Sequence, residues 1–165
     1  MFGKFENIEA FLDSYVKDQE QKRMEYIHSL SLENQISVLR TRQVTDVAEV
    51  KATIQKREPD DKSVPKHYQM IITLDEIINF AADIKDDITE CKQDDSPVFV
   101  AIRFGDRLGI NQPIASGMNN GDKLHLKGQW ITKDKAYSHG GEKMSVLHFT
   151  HHPVGFTCTI QKCYS

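Results

Sequence analysis

Apolar residues near the start of the chain recur at Phe5, Ile8, Leu12, Tyr15, Val16, Met24 and Ile27 with charged residues between them, the spacing of an amphipathic helix. Ser31 is placed to cap a second helical run through Ile36, Val38 and Leu39. Residues 1–42 therefore read as a helical extension, either a packing arm or a surface over 5–39 for a homodimer or a protein partner. From Val44 the period shortens to two. Ala48, Val50, Ala52 and Ile54 alternate with Glu49, Lys51, Thr53 and Gln55, which predicts a half-buried strand. Two prolines around acidic turn formers make 58–65 a loop, and His67 to Leu74 a second strand antiparallel to the first. Helical spacing returns over 75–92, with Ile77, Phe80, Ala81, Ile84 and Ile88 on one stripe and Asp83, Asp86, Asp87 and Glu90 off it. That segment predicts an acidic helix with a solvated carboxylate face.

Past Pro97 the pattern is strand-like to the end. Val98, Val100 and Ile102 alternate with Phe99, Ala101 and Arg103, and Gly105-Asp106 marks a turn. Asn119-Asn-Gly-Asp122 is a second turn, because Asn and Gly tolerate positive φ. Strands follow at Lys123–Ile131, from Met144 to His152, and, short and at an edge, from Thr157 to Cys163. Five main strands with one helix and long connections predict a mainly β, α+β chain: a small OB-like five-stranded Greek-key barrel over 43–165, with the helix inserted at about 75–92.

Three segments sharpen that expectation. Gly121-Asp-Lys-Leu-His-Leu-Lys-Gly128 has the form G-D-x-φ-x-φ-x-G, in which the second glycine lets a barrel strand bend. His67 to Leu74 and Leu147 to Gly155 flank it. Together the three resemble a family of uncharacterised bacterial OB-like proteins, with an early His-led strand, the Gly-Asp strand, and an end of the form φ-His-aromatic-Thr-His-His-Pro followed by Gly. The resemblance covers about two-thirds of the chain and leaves out the N-terminal helices. It implies the fold and no activity, and a helix after the second strand departs from the OB position after the third.

Length and charge change the picture in two places. The 165 residues allow one domain plus an appendage, and 39% hydrophobic content is that of an ordinary water-exposed chain. The formal net charge of −3 hides a division. Residues 97–165 carry eight Lys/Arg against four Asp/Glu and five of the seven histidines, whereas 75–95 carry two against eight. No apolar run is long enough for a membrane, and the N-terminal residues turn acidic at once, so the expected place is the cytoplasm. Cys91, Cys158 and Cys163 are too few for a disulfide framework and suit a reducing compartment. No phosphate loop, dinucleotide fingerprint, nucleophile elbow or zinc-protease motif occurs, so a binding module is expected rather than an enzyme, with no cofactor.

The candidate chemistry lies in the last strands. If Leu124, Leu126 and Trp130, with Leu147 and Phe149, fill the barrel, then His125, Lys127, His148, Thr150 and His152 form one external band. Single-stranded nucleic acid is the leading ligand, since it asks for cations interleaved with rings on which bases stack. Arg103, Arg107, Lys123, Lys127, Lys133, Lys135 and Lys143 supply charge; Tyr68, Phe99, Phe104, Tyr137 and Phe149 supply rings; Trp130 joins the candidate contacts. Two alternatives stay open: a protein-interaction subunit using the N-terminal helix, and a small metal-dependent hydrolase using His148, His151 and His152 beside Cys158 and Cys163. A straight strand would hold His148 and His152 about 13–14 Å apart, too far for one ion unless the chain bends. Backbone-capping roles for these histidines are the plainer alternative.

Overall fold

The structure is a computed structural model that describes residues 46–136, 138–139 and 142–165. The helical extension expected at 1–42, with its self-association surface at 5–39, lies outside the described residues, as does Tyr137. Strand β1 (Val47–Arg57) buries Ala48, Val50, Ala52 and Ile54 in the predicted alternation. It is followed by β2 (Lys66–Phe80), a 3₁₀ turn at Ala82–Ile84, helix α1 (Lys85–Gln93), β3 (Val98–Phe104) and β4 (Lys123–Ile131). A two-stranded ribbon, β5 (Ser138–His139) and β6 (Glu142–Lys143), leads to β7 (Ser145–His148), β8 (Phe156–Cys158) and β9 (Cys163–Tyr164).

The sheet runs β1-β2-β3-β7-β4 and closes because β4 also pairs with β1. β3 and β7 are parallel, while the other barrel pairs are antiparallel. This is the five-stranded OB-type barrel expected, with β8 and β9 extending the sheet beyond β4 and the helix between the second and third strands. Met70, Ile72, Ile102, Leu126, Trp130 and Leu147 fill the interior. The turn before β4 forms as predicted: Gly121 takes φ 91°, and Ile54 and the turn exchange hydrogen bonds, Gly121 N to Ile54 O (2.7 Å) and Ile54 N to Asp122 O (2.9 Å).

The helix expected from residue 75 starts only at Lys85, and Asp75 to Phe80 belong to β2. The cause is a pair of bulges. Ala52, Val50 and Ala48 of β1 face Leu74, Ile77 and Phe80 of β2, so two residues of one strand are matched by three of the other. Apolar residues of a bulged strand thereby acquire the spacing of a helix turn. The 3₁₀ turn adds Ile84 to the core, and the helix that does form adds Ile88 and Cys91. Its carboxylates are not all solvated either: Asp87 accepts hydrogen bonds from Trp130 Nε1 (2.6 Å), Ser145 Oγ (2.7 Å) and the Lys133 backbone N–H (3.0 Å).

Two further expectations change. The strand starting near Met144 ends at His148 rather than His152, because Phe149 enters the left-handed region at φ 53°. Cys158 and Cys163 are bonded to each other as directly opposed residues of β8 and β9, so these thiols do not follow the reduced pattern expected of them. Cys91 is free; burial first, then the charges of Asp87, Asp94 and Glu90 against that of Lys133, push its thiol up to about 12, so it carries no thiolate near neutrality.

Candidate functional site

The structure divides the expected binding residues into four groups. Trp130 is a core residue, 1% exposed, held by Asp87 rather than offered to a ligand. His125 and Lys127 lie half-buried on the outer face of β4. There the His125 ring meets Phe156 edge-on, 5.1 Å between centroids, and its Nε2 is 3.6 Å from a Glu49 carboxylate oxygen.

The external band does not extend across β7. His148, Thr150 and His151 are buried, and only His152 of that run is exposed. The positive φ at Phe149 turns the chain away from the straight strand, and β8 returns alongside β4, so the outward positions of the strand end are covered. Thr157 Oγ1 donates to the Thr150 carbonyl (2.9 Å), the His148 ring lies 4.3 Å from Phe149, and His151 Nδ1–H donates to the His152 carbonyl (2.9 Å). Among the described residues no group of three or more His, Cys, Asp or Glu side chains is placed to hold a metal ion, so His148, His151 and His152 do not assemble one here.

OB barrels commonly offer the face of their second and third strands to oligonucleotides. That face is closed in this chain, with His67, Gln69, Phe99, Ala101 and Arg103 all buried. The expected stacking rings are likewise occupied: Tyr68 packs flat on Phe104 at 3.9 Å between centroids, and Phe99 and Phe149 are buried.

What remains open is built by the connection after β3. Arg103, next to last in that strand, forms a bidentate pair with Asp106, Nη2 to Oδ2 at 2.8 Å and Nε to both oxygens at 3.1 Å. Asp106 also accepts the N–H groups of Leu108 (3.0 Å) and Gly109 (3.1 Å), which folds the turn over its own carboxylate. Gly109 is required there, since a Cβ would sit 2.4 Å from the Arg103 carbonyl oxygen. Farther on, Ile114 N donates to the Tyr68 hydroxyl (3.2 Å), Asn111 N donates to the Ser165 carbonyl (2.9 Å), and Lys162 Nζ donates to Gln112 Oε1.

Between this loop and the turn at Pro153 lies an open cleft of about 700 Å³ lined by, among others, Gly105, Asp106, Arg107, Gln112 and His152. Arg107 and His152 are exposed at it, Lys162 reaches it through Gln112, and the Lys66 stem runs beside Gly105. The cleft thus unites Arg107 and His152 of the expected set, with Arg103 beneath as its buttress. Lys66, Gln112 and Lys162 were not anticipated. For Gln112 the signal is the length of the connection 105–122, since long loops without regular structure in small domains commonly carry function; Lys66 and Lys162 lie outside that connection.

Asp106 gives a pH test of the loop. Burial opposes its ionisation, but the hydrogen bonds and charge of Arg103, with the Leu108 and Gly109 N–H groups, outweigh burial and hold the carboxyl below its ordinary value. A lowered folded-state value means that the stabilisation is complete above the unfolded Asp pKa of about 3.9 and is lost as pH falls through the folded one. In an NMR titration the Leu108 and Gly109 amides should stay fixed from neutrality down to that value and move only below it. Movement centred above it contradicts the pairing.

No family model, curated protein or solved structure matches the chain.

Proposed function

We propose that this OB-type barrel is a binding module for single-stranded nucleic acid, with the sugar-phosphate backbone lying in the cleft between the 105–113 loop and His152. The observation that carries this reading is the charge of the cleft. Arg107 and His152 line it, Lys162 is bonded to the lining Gln112, the Lys66 stem passes beside the lining Gly105, and the carboxylate of Asp106 is matched by Arg103. Backbone contact with little base stacking suits a weak and sequence-tolerant binder, since the rings that would stack bases are mostly packed inside.

Fluorescence anisotropy with a labelled oligothymidylate of about 12 nucleotides tests it, that length being within the usual site size of one OB barrel. Three cations neutralising phosphates release counterions at about 0.7 per contact for single strands, so log K against log salt should fall with a slope near −2. Absence of binding at low ionic strength, or binding that salt leaves unchanged, overturns the reading.

A further inference from the structure

We infer that the Cys158–Cys163 bond is a redox latch for one wall of the cleft; the inference rests on the binding reading for its purpose, but not for its mechanics. The wall in question is the β8–β9 hairpin. β9 has two residues and pairs only with β8 at the edge of the sheet. Two such short strands form a marginal ribbon by themselves. β8 is held to the barrel by its pairing with β4 and by Thr157; apart from the disulfide, β9 is held by the turn, where Thr159 N donates to the Lys162 carbonyl (2.9 Å) and Thr159 Oγ1 accepts the Gln161 and Lys162 N–H groups (3.2 Å each), by its short ladder with β8 and by Tyr164 in the core.

The cleft loop hangs on this hairpin. Asn111 N donates to the Ser165 carbonyl, Gln112 accepts from Lys162, and Ser116 Oγ donates to Gln161 Oε1. Gly117, at φ 86°, sits so close to Thr159 that a Cβ would be 2.8 Å from its Cβ. Contacts at Thr159, Gln161, Lys162 and Ser165 mean that the order of the hairpin is transmitted to residues 111–117. Opening the disulfide removes the cross-link between the two strands and leaves β9 held by its short pairing with β8, the Tyr164 side chain and the Asn111 bond to Ser165.

The bond is placed to be opened. Cys163 is exposed whereas Cys158 is 8% exposed, so an incoming thiolate meets the Cys163 sulfur first. A dithiol reductant attacks that sulfur, the Sγ–Sγ bond breaks, and Cys158 leaves as a thiolate that takes up a proton. The second thiol of the reductant then displaces Cys163, giving two protein thiols and one oxidised dithiol, a balanced two-electron exchange. Loss of the latch loosens the wall and weakens ligand binding by removing preorganisation.

The test uses the full chain with and without excess dithiothreitol. Alkylation and mass measurement of the untreated, unfolded protein should find Cys91 alone modified; modification of Cys158 and Cys163 as well overturns the latch. On reduction, hydrogen exchange at the Asn111 and Lys162 amides should quicken about tenfold while Ile54 and Leu126 in the barrel keep their protection. Equal exchange in both states, or equal quickening in the barrel strands, overturns it. The Cys158→Ser/Cys163→Ser double variant should show the fast exchange without reductant and no response to it. Oligothymidylate affinity should fall about three- to tenfold on reduction. Binding in neither state defeats the nucleic-acid reading, and exchange at Asn111 then decides the latch separately.

Discussion

Gly128→Ala should cost about 3–4 kcal/mol and lower the thermal midpoint by roughly 10–15 °C, as followed by circular dichroism. Gly128 is where β4 changes neighbours: Gln129 faces His148 of β7, whereas Lys127 faces Phe156 of β8. A Cβ at this point would lie 2.3 Å from the His148 carbonyl oxygen and 2.9 Å from Thr150 Cγ2. Backbone meets it first, so no flexible side chain can give way. Gly155 closes the same junction from the other side, with a Cβ falling 1.8 Å from the Lys127 carbonyl oxygen. Gly121→Ala is the comparison. Nothing lies within 4 Å of a Cβ there, and the cost reduces to the strain of φ 91°, about 1–2 kcal/mol. A Gly128→Ala midpoint no lower than that of Gly121→Ala would contradict the crowded junction.

Asp87→Ala should be the second large effect, a loss of about 2–4 kcal/mol in urea unfolding monitored by Trp130 fluorescence. Its carboxylate joins α1 to both closing strands through the Trp130 indole, the Ser145 hydroxyl and the Lys133 amide. Trp130 is 1% exposed and Ser145 3%, so removing the acceptor strands their donors away from water. Asp87→Asn keeps one acceptor oxygen and should lose about half as much. In a double-mutant cycle with Trp130→Phe, followed by circular dichroism because Trp130 is the single tryptophan, the two losses should be less than additive, because they share one bond. A solvated helix carboxylate would instead lie within about 0.5 kcal/mol of the unaltered protein.

The barrel was legible where each strand keeps one face inward. β1 and β4 show clean alternation because the barrel buries one side of each, and Asn119 to Asp122 carry their turn chemistry in their own side chains. Local reading failed where a partner at long range sets the answer. Bulges opposite Val50 and Ala52 gave β2 a helical spacing, and nothing in Asp75 to Phe80 reveals β1 beside it. Both sides of β3 are buried, so its alternation carried no information about which face was open. The second glycine of G-D-x-φ-x-φ-x-G, Gly128, also marks a close approach of the His148 backbone, which the motif does not reveal. A straight strand would place His148 and Thr150 in solvent, and Phe149 does not continue that strand. The pairing of Cys158 with Cys163 depends on their facing each other across a hairpin, which spacing leaves open. Of the cleft, Arg107 and His152 were among the expected residues, while Lys66 and Lys162 come to it only through tertiary structure.

The most direct measurement of the central claim is an amide-shift map of the ¹⁵N-labelled protein titrated with the oligothymidylate at low salt. Shifts concentrated at Gly105 to Gln112, His152 and Lys162, with β1 and the His125 to Lys127 face still, are the predicted result. Shifts confined to that β4 face beside Phe156, with the cleft amides unmoved, would contradict it.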